Sequence, residues 1–371
     1  MPRPLMLVFI GGITFFLAVA LFIFTQAQNY SSPAKSPETC NDVLIQGPPE
    51  KQTNILFVGT ADEAEVYRDY LLAYEPFSSN REMFNFYRID KKSDCARYKK
   101  IALYCYSQEL QSQAAVCPHD FIVALEDAPV SLRASAYMEV ASINTNLPKT
   151  VLLHELGHLF GLDEEYEAGY NPGINSPNCK TRCGQFTGTG CFQECSDGTH
   201  LRSVDEGVMR TLSPADDANP YGSYNTERIL DRMTIPRSKI AGFASQEETS
   251  CLDASYLLIE VDPRQSEWQA RAIAKERGCT AQTQGSASYA LKDDEMNTVF
   301  SDTFTAPRLF TDGNEDADNT IEGQTFESKN LFYLTVPSDT GAASVVITDS
   351  AGNERAQADL NINNRACEML S

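Results

Sequence analysis

The sequence predicts an N-terminal membrane-spanning helix, an α/β domain and an all-β sandwich, in that order. Three observations lead there. Residues 5–25 carry no charge, short apolar runs alternate with a helix-spaced segment from Thr53, and beyond residue 251 only strand-length runs between turns remain.

Leu5 to Thr25 holds 21 residues dominated by Leu, Ile, Val and Phe. That matches the ~20 residues a spanning helix needs, whereas a secretory core is nearer 7–15. Residues 1–28 therefore read as a single-pass anchor in the cell membrane, with cleavage at the Thr25-x-Ala27 step and secretion as the alternative. Arg3 and the amino terminus place the short side inside. Everything beyond residue 28 then lies outside the cytoplasm. Residues 29–52, with Pro33, Pro37, Pro48 and Pro49, read as a linker without a core.

Composition narrows the function classes. Hydrophobic residues make up 42% of the 371, enough for well-packed cores. A net charge of −21 argues against binding nucleic acid or an anionic membrane through a basic face. The eleven cysteines suit an exported, disulfide-bonded chain. Their odd number leaves one over, and Cys40 in the linker could pair with another chain or reach a metal.

From Thr53 the elements alternate. Asn54 to Gly59 reads as a buried strand, Asp62 to Tyr74 as a helix, and Phe84 to Ile89 and Phe121 to Leu125 as further strands. Ala134 to Ala141 alternates weakly and reads as one edge strand, where an extended substrate could add by backbone pairing.

His154-Glu155-Leu156-Gly157-His158 follows the apolar run Thr150 to Leu153. Four residues are about one helical turn, so both imidazoles leave the same helix face and can hold one zinc ion. Glu155 can reach a water on that metal as general base. Only four histidines occur in the chain, and two of them fall at this spacing. Gly161 can end the helix in a left-handed conformation and turn the chain back. Glu164 then stands at the position of a third ligand, with Asp163 and then Glu165 as rivals.

Cys179, Cys183, Cys191 and Cys195 lie in the Gly- and Asn-rich loop 170–198. An exported chain would pair them as two disulfides, and a structural zinc is the competing reading. Gly207-Val208-Met209-Arg210 reads as a tight turn placing a methionine beneath the metal histidines. Residues 251–367 read as a β-sandwich of immunoglobulin-like type, including runs at 256–261, 269–274, 287–291, 332–336 and 344–348. Within it Asp312, Asn314, Asp316 and Asp318, followed by Glu322, could hold calcium, although Ala317 stands where a calcium loop needs glycine.

These segments together resemble the bacterial IgA-peptidase family of zinc metallopeptidases. The resemblance runs over about residues 53–235. It rests on Ile55 to Gly59, Glu75-Pro76-Phe77, Phe84 to Arg88, His154 to Tyr166, Val208-Met209-Arg210 and Tyr221 to Asn225. That family usually has one more residue between its second histidine and its D-E-Y ending. Aligning Glu165-Tyr166 puts Glu164 at the family's aspartate ligand and leaves Asp163 a rival. The resemblance implies an α/β zincin fold, metzincin-like, over 53–245, and peptide-bond hydrolysis. It does not carry over a substrate.

The expected activity is therefore zinc-dependent cleavage of a protein or peptide. Tyr221 and Tyr224 are candidate donors to the oxyanion. Two alternatives stand beside it. One is a zinc amidohydrolase acting on a non-protein, cell-wall substrate. The other is an inactive surface-adhesion protein whose β-sandwich binds a cell-surface partner.

Overall fold

The computed structural model describes residues 39–173, 175–186, 190–212, 218–234, 251, 254–264, 267–280, 285–311, 324–327 and 330–361. The predicted membrane helix and the calcium candidates Asp312, Asn314, Asp316, Asp318 and Glu322 lie outside them. Among the described residues no helix is long and apolar enough to cross a membrane.

The first half runs β1 (Asn41–Leu44), β2 (Thr53–Gly59), α1 (Ala61–Leu71), β3 (Phe84–Asp90), β4 (Ala96–Tyr98), β5 (Ala102–Tyr104), α2 (Gln108–Ala114), β6 (Phe121–Glu126), β7 (Ser135–Tyr137), β8 (Val140–Asn144) and α3 (Thr150–Leu159). Then come β9 (Phe192–Cys195), β10 (Asp197–Arg202), α4 (Val208–Thr211) and α5 (Gly222–Thr234). The second half is all strand: β11 (Ser255–Asp262), β12 (Gln269–Arg277), β13 (Ala287–Lys292), β14 (Thr298–Phe304), β15 (Arg308–Thr311), β16 (Gln324–Glu327), β17 (Phe332–Pro337), β18 (Ser344–Thr348) and β19 (Glu354–Asp359).

An eight-stranded sheet in the order β1-β3-β2-β6-β8-β7-β15-β16 organises the molecule. Its centre is parallel, β3-β2-β6-β8, and both ends are antiparallel. Every residue of β2 is buried, as a strand covered on both faces must be. Successive side chains divide between two cores. Ile55 and Phe57 face α1 and α3, whereas Leu56 and Val58 join α2 and the second half. Helix α1 starts where the sequence supplies a capping box, with Thr60 and Glu63 each bonding the other's backbone N–H. Helix α3 is apolar nearly all round and correspondingly buried.

The α/β zincin followed by an immunoglobulin-like sandwich is not the architecture found. Among the described residues, strand makes up 35% against 18% helix. Few of the connections between strands are helices, so the helix layers that cover an α/β sheet are largely missing. Nor does the first sheet end with the first half. The hairpin β15–β16 pairs with β7 and extends that sheet from the far end of the chain. The remaining late strands form sheets β12-β11-β17 and β14-β13-β18-β19. Their inner faces share a core with the first sheet, and the Tyr106 hydroxyl fastens the two halves by bonding both the N–H and the carbonyl of Tyr333.

The single edge strand expected over 134–141 is instead the hairpin β7–β8, turning at Met138 with φ +55°. Cys40 pairs with Cys117, which removes it both as an interchain cysteine and as a metal ligand. The loop cysteines pair as Cys179–Cys195 and Cys183–Cys191, so no structural zinc sits there. Cys95–Cys105 and Cys251–Cys279 complete five disulfides among the described residues.

Candidate metal centre

Helix α3 carries His154, Glu155 and His158, all at most 3% exposed. It ends at Leu159 with Phe160 as its C-terminal cap, and Gly161 takes φ +88°, a left-handed conformation that favours glycine. The chain turns back there and brings Glu164 under the helix. Glu164 Oε1 lies 3.2 Å from His158 Nε2, and its Oε2 lies 3.3 Å from His154 Nε2. The two Nε2 atoms are 3.0 Å apart, and one ligand atom from each residue falls within 4.8 Å of the others.

The other ring nitrogens decide what this cluster wants. His154 Nδ1 is 2.7 Å from the Val208 carbonyl, and His158 Nδ1 is 2.9 Å from the Leu162 carbonyl. A carbonyl only accepts, so each Nδ1 carries the proton and each neutral ring presents its Nε2 lone pair. Two lone pairs and a carboxylate thus converge in an interior without bulk water. They repel one another unless a cation lies between them. Two imidazoles and one carboxylate are a suitable donor set for zinc.

The turn after the helix assigns its three acids to different tasks. Asp163 accepts from the Tyr170 hydroxyl at 2.8 Å and from Arg308 at 2.9 Å. It is occupied by those partners and is no metal ligand here. Glu165 accepts from Asn225 Nδ2 at 2.8 Å, and burial pushes its carboxyl up to about 7. Only Glu164 reaches both imidazoles. The order Glu164, Asp163, Glu165 drawn from spacing therefore has its first member in place.

Met209 lies beneath the helix. A Cβ on Gly157 would collide with its sulfur and sit 3.2 Å from the Tyr221 ring, so the close approach requires glycine. The Met209 carbonyl accepts from Glu165 N, and the Val208 carbonyl orients His154. The expected turn thus acts through its backbone as well as its sulfur.

Neither candidate tyrosine is placed as an oxyanion donor. The Tyr221 hydroxyl is buried and donates to the Leu153 carbonyl. Tyr224 packs edge-on against Phe186 at 5.0 Å, with Arg228 over its face.

Several participants escaped the sequence reading. Asn178 bonds the Asp163 backbone at both its N–H and its carbonyl, and Ser196 donates to the Glu164 carbonyl at 2.9 Å. From β15, Phe310 stacks on His158 and Arg308 binds Asp163. Asn225 stands in the Tyr221 to Asn225 segment already singled out, but the others carry no local signal. No family model matches this chain, and no curated protein matches it.

Proposed function

We propose that this protein is a zinc-dependent peptidase acting outside the cytoplasm. The observation that carries the reading is the pair of Nδ1–carbonyl bonds, which turn both Nε2 lone pairs onto Glu164 in a buried cluster. His154, His158 and Glu164 would hold the ion. Bound there, zinc supplies a lowered water pKa and a polarised substrate carbonyl. Glu155, adjacent to His154 on the same helix, accepts the proton of the attacking water and returns it to the leaving amine. The substrate carbon gains a hydroxyl, and the C–N bond breaks to a carboxylate and an amine.

The resemblance to bacterial IgA-peptidase zinc metallopeptidases supports peptide over other amides, through Glu155 and the His154 to Tyr166 segment. Five disulfides among the described residues support an oxidising compartment, and the uncharged run 5–25 of the sequence is the reason to place the protein at the cell membrane. Zinc content and cleavage of a mixed peptide library by the full-length protein test the reading, beside Glu155→Ala. Cleavage lost in a zinc-retaining variant is expected. Zinc without cleavage of any peptide would count against it, and cleavage of cell-wall amides instead would favour the amidohydrolase.

A further inference from the structure

A peptide must reach four side chains that the fold buries. His154, Glu155, His158 and Glu164 are all buried, and what lies against them from the far end of the chain is β15. Phe310 stacks flat on the His158 imidazole, with centroids 3.9 Å apart at 11°. Arg308 pairs with Asp163 at 2.9 Å, beside the ligand Glu164, and lies over the Tyr170 ring at 5.0 Å. Between these side chains the backbone pairs antiparallel with β7 in the register Leu309↔Tyr137, Phe310↔Ala136 and Thr311↔Ser135.

We propose that β15 occupies the place of the substrate: residues 308–311 lie on the β7 edge along which an extended peptide binds, and the protein is latent until this strand is displaced. The inference rests on the peptidase reading above.

Three features favour it. A backbone ladder on a strand edge is blind to sequence, so an extended peptide can make the same hydrogen bonds as β15. The attachment is short, four residues near the end of the sheet with only β16 beyond, and such an edge can open locally without global unfolding. The Arg308 side chain is 34% exposed, so solvent already reaches the outer side of the strand there. When the strand leaves, an aromatic-sized space opens beside His158. The substrate class that fits is an extended segment with a large aromatic residue where Phe310 now sits.

The test compares full-length wild type with Phe310→Ala and Arg308→Ala, by zinc content and by kcat/KM on a mixed peptide library. Arg308→Ala removes a partly exposed side chain rather than a buried ring, should Phe310→Ala fold poorly. A synthetic peptide of residues 305–311 is then added in trans. The expected result is at least a tenfold rise in kcat/KM for the variants at unchanged zinc content. The peptide should inhibit them competitively, and its Phe310→Ala counterpart should not. A wild type as active as both variants would overturn latency while leaving the peptidase reading intact. Zinc-loaded protein that cleaves nothing in any form would overturn both.

Discussion

The ring of Phe310 lies flat on the imidazole of His158, joining β15, the strand next to the end of the first sheet, to the helix that carries His154 and His158. Phe310 is 8% exposed, and its loss would leave a cavity against that helix. Phe310→Ala should lower stability by about 3 kcal/mol, read from the midpoint of urea unfolding. The Leu162 carbonyl still fixes the His158 ring, so zinc affinity should fall less than about tenfold.

The three acids after Gly161 should separate cleanly. Glu164→Gln removes the carboxylate that faces both imidazoles and should weaken zinc binding by about a hundredfold or more, measured by competition with a chelator. Asp163→Asn should retain zinc, because Asp163 faces Arg308 and Tyr170. Equal losses in both variants would contradict the assignment of Glu164.

The two loop disulfides differ in what they hold. The sulfurs of Cys179 and Cys195 lie 3.5 and 3.6 Å from the Glu164 carbonyl oxygen, next to Ser196. Cys183 and Cys191 are exposed or half-buried. Replacing Cys179 and Cys195 by serine should cost about 3 kcal/mol and reduce zinc affinity. Replacing Cys183 and Cys191 should leave zinc affinity unchanged. Metal titration of the two double variants checks both.

Glu139 supplies a pH signature away from the metal. It is buried at the β7–β8 turn with Gln111 donating to its side chain, and burial pushes its carboxyl up to about 7 from 4.5. A carboxyl raised on folding favours the native state fully below the unfolded value. That contribution is lost as pH rises from about 4.5 through about 7. Its size is of order 3 kcal/mol. Glu139→Gln should flatten this part of the stability–pH curve, as followed by urea midpoints across the range.

How much of this was legible in the sequence follows from distance along the chain. His154, His158 and Glu164 sit on one helical turn and the loop after it, so periodicity and a single glycine fixed their relation. Strands β2 and β6 were legible because buried parallel strands are continuous apolar runs, and β3 because its residues alternate. The hairpin at Met138 was missed because its turn holds no glycine or proline. Arg308 meets Asp163 from 145 residues away, and no local pattern marks such a contact. That long-range pairing also misled the expected fold class, since it sews a late hairpin into the early sheet. Tyr221 and Tyr224 failed as candidates because position after a turn says nothing about which way a ring points.

The most direct test of the central claim is zinc stoichiometry together with peptide cleavage, for wild type and Glu155→Ala, with Arg308→Ala included to relieve latency. The account predicts zinc bound in all three and cleavage that is highest in Arg308→Ala and absent in Glu155→Ala. Cleavage that survives in Glu155→Ala, or protein that binds no zinc, would contradict it.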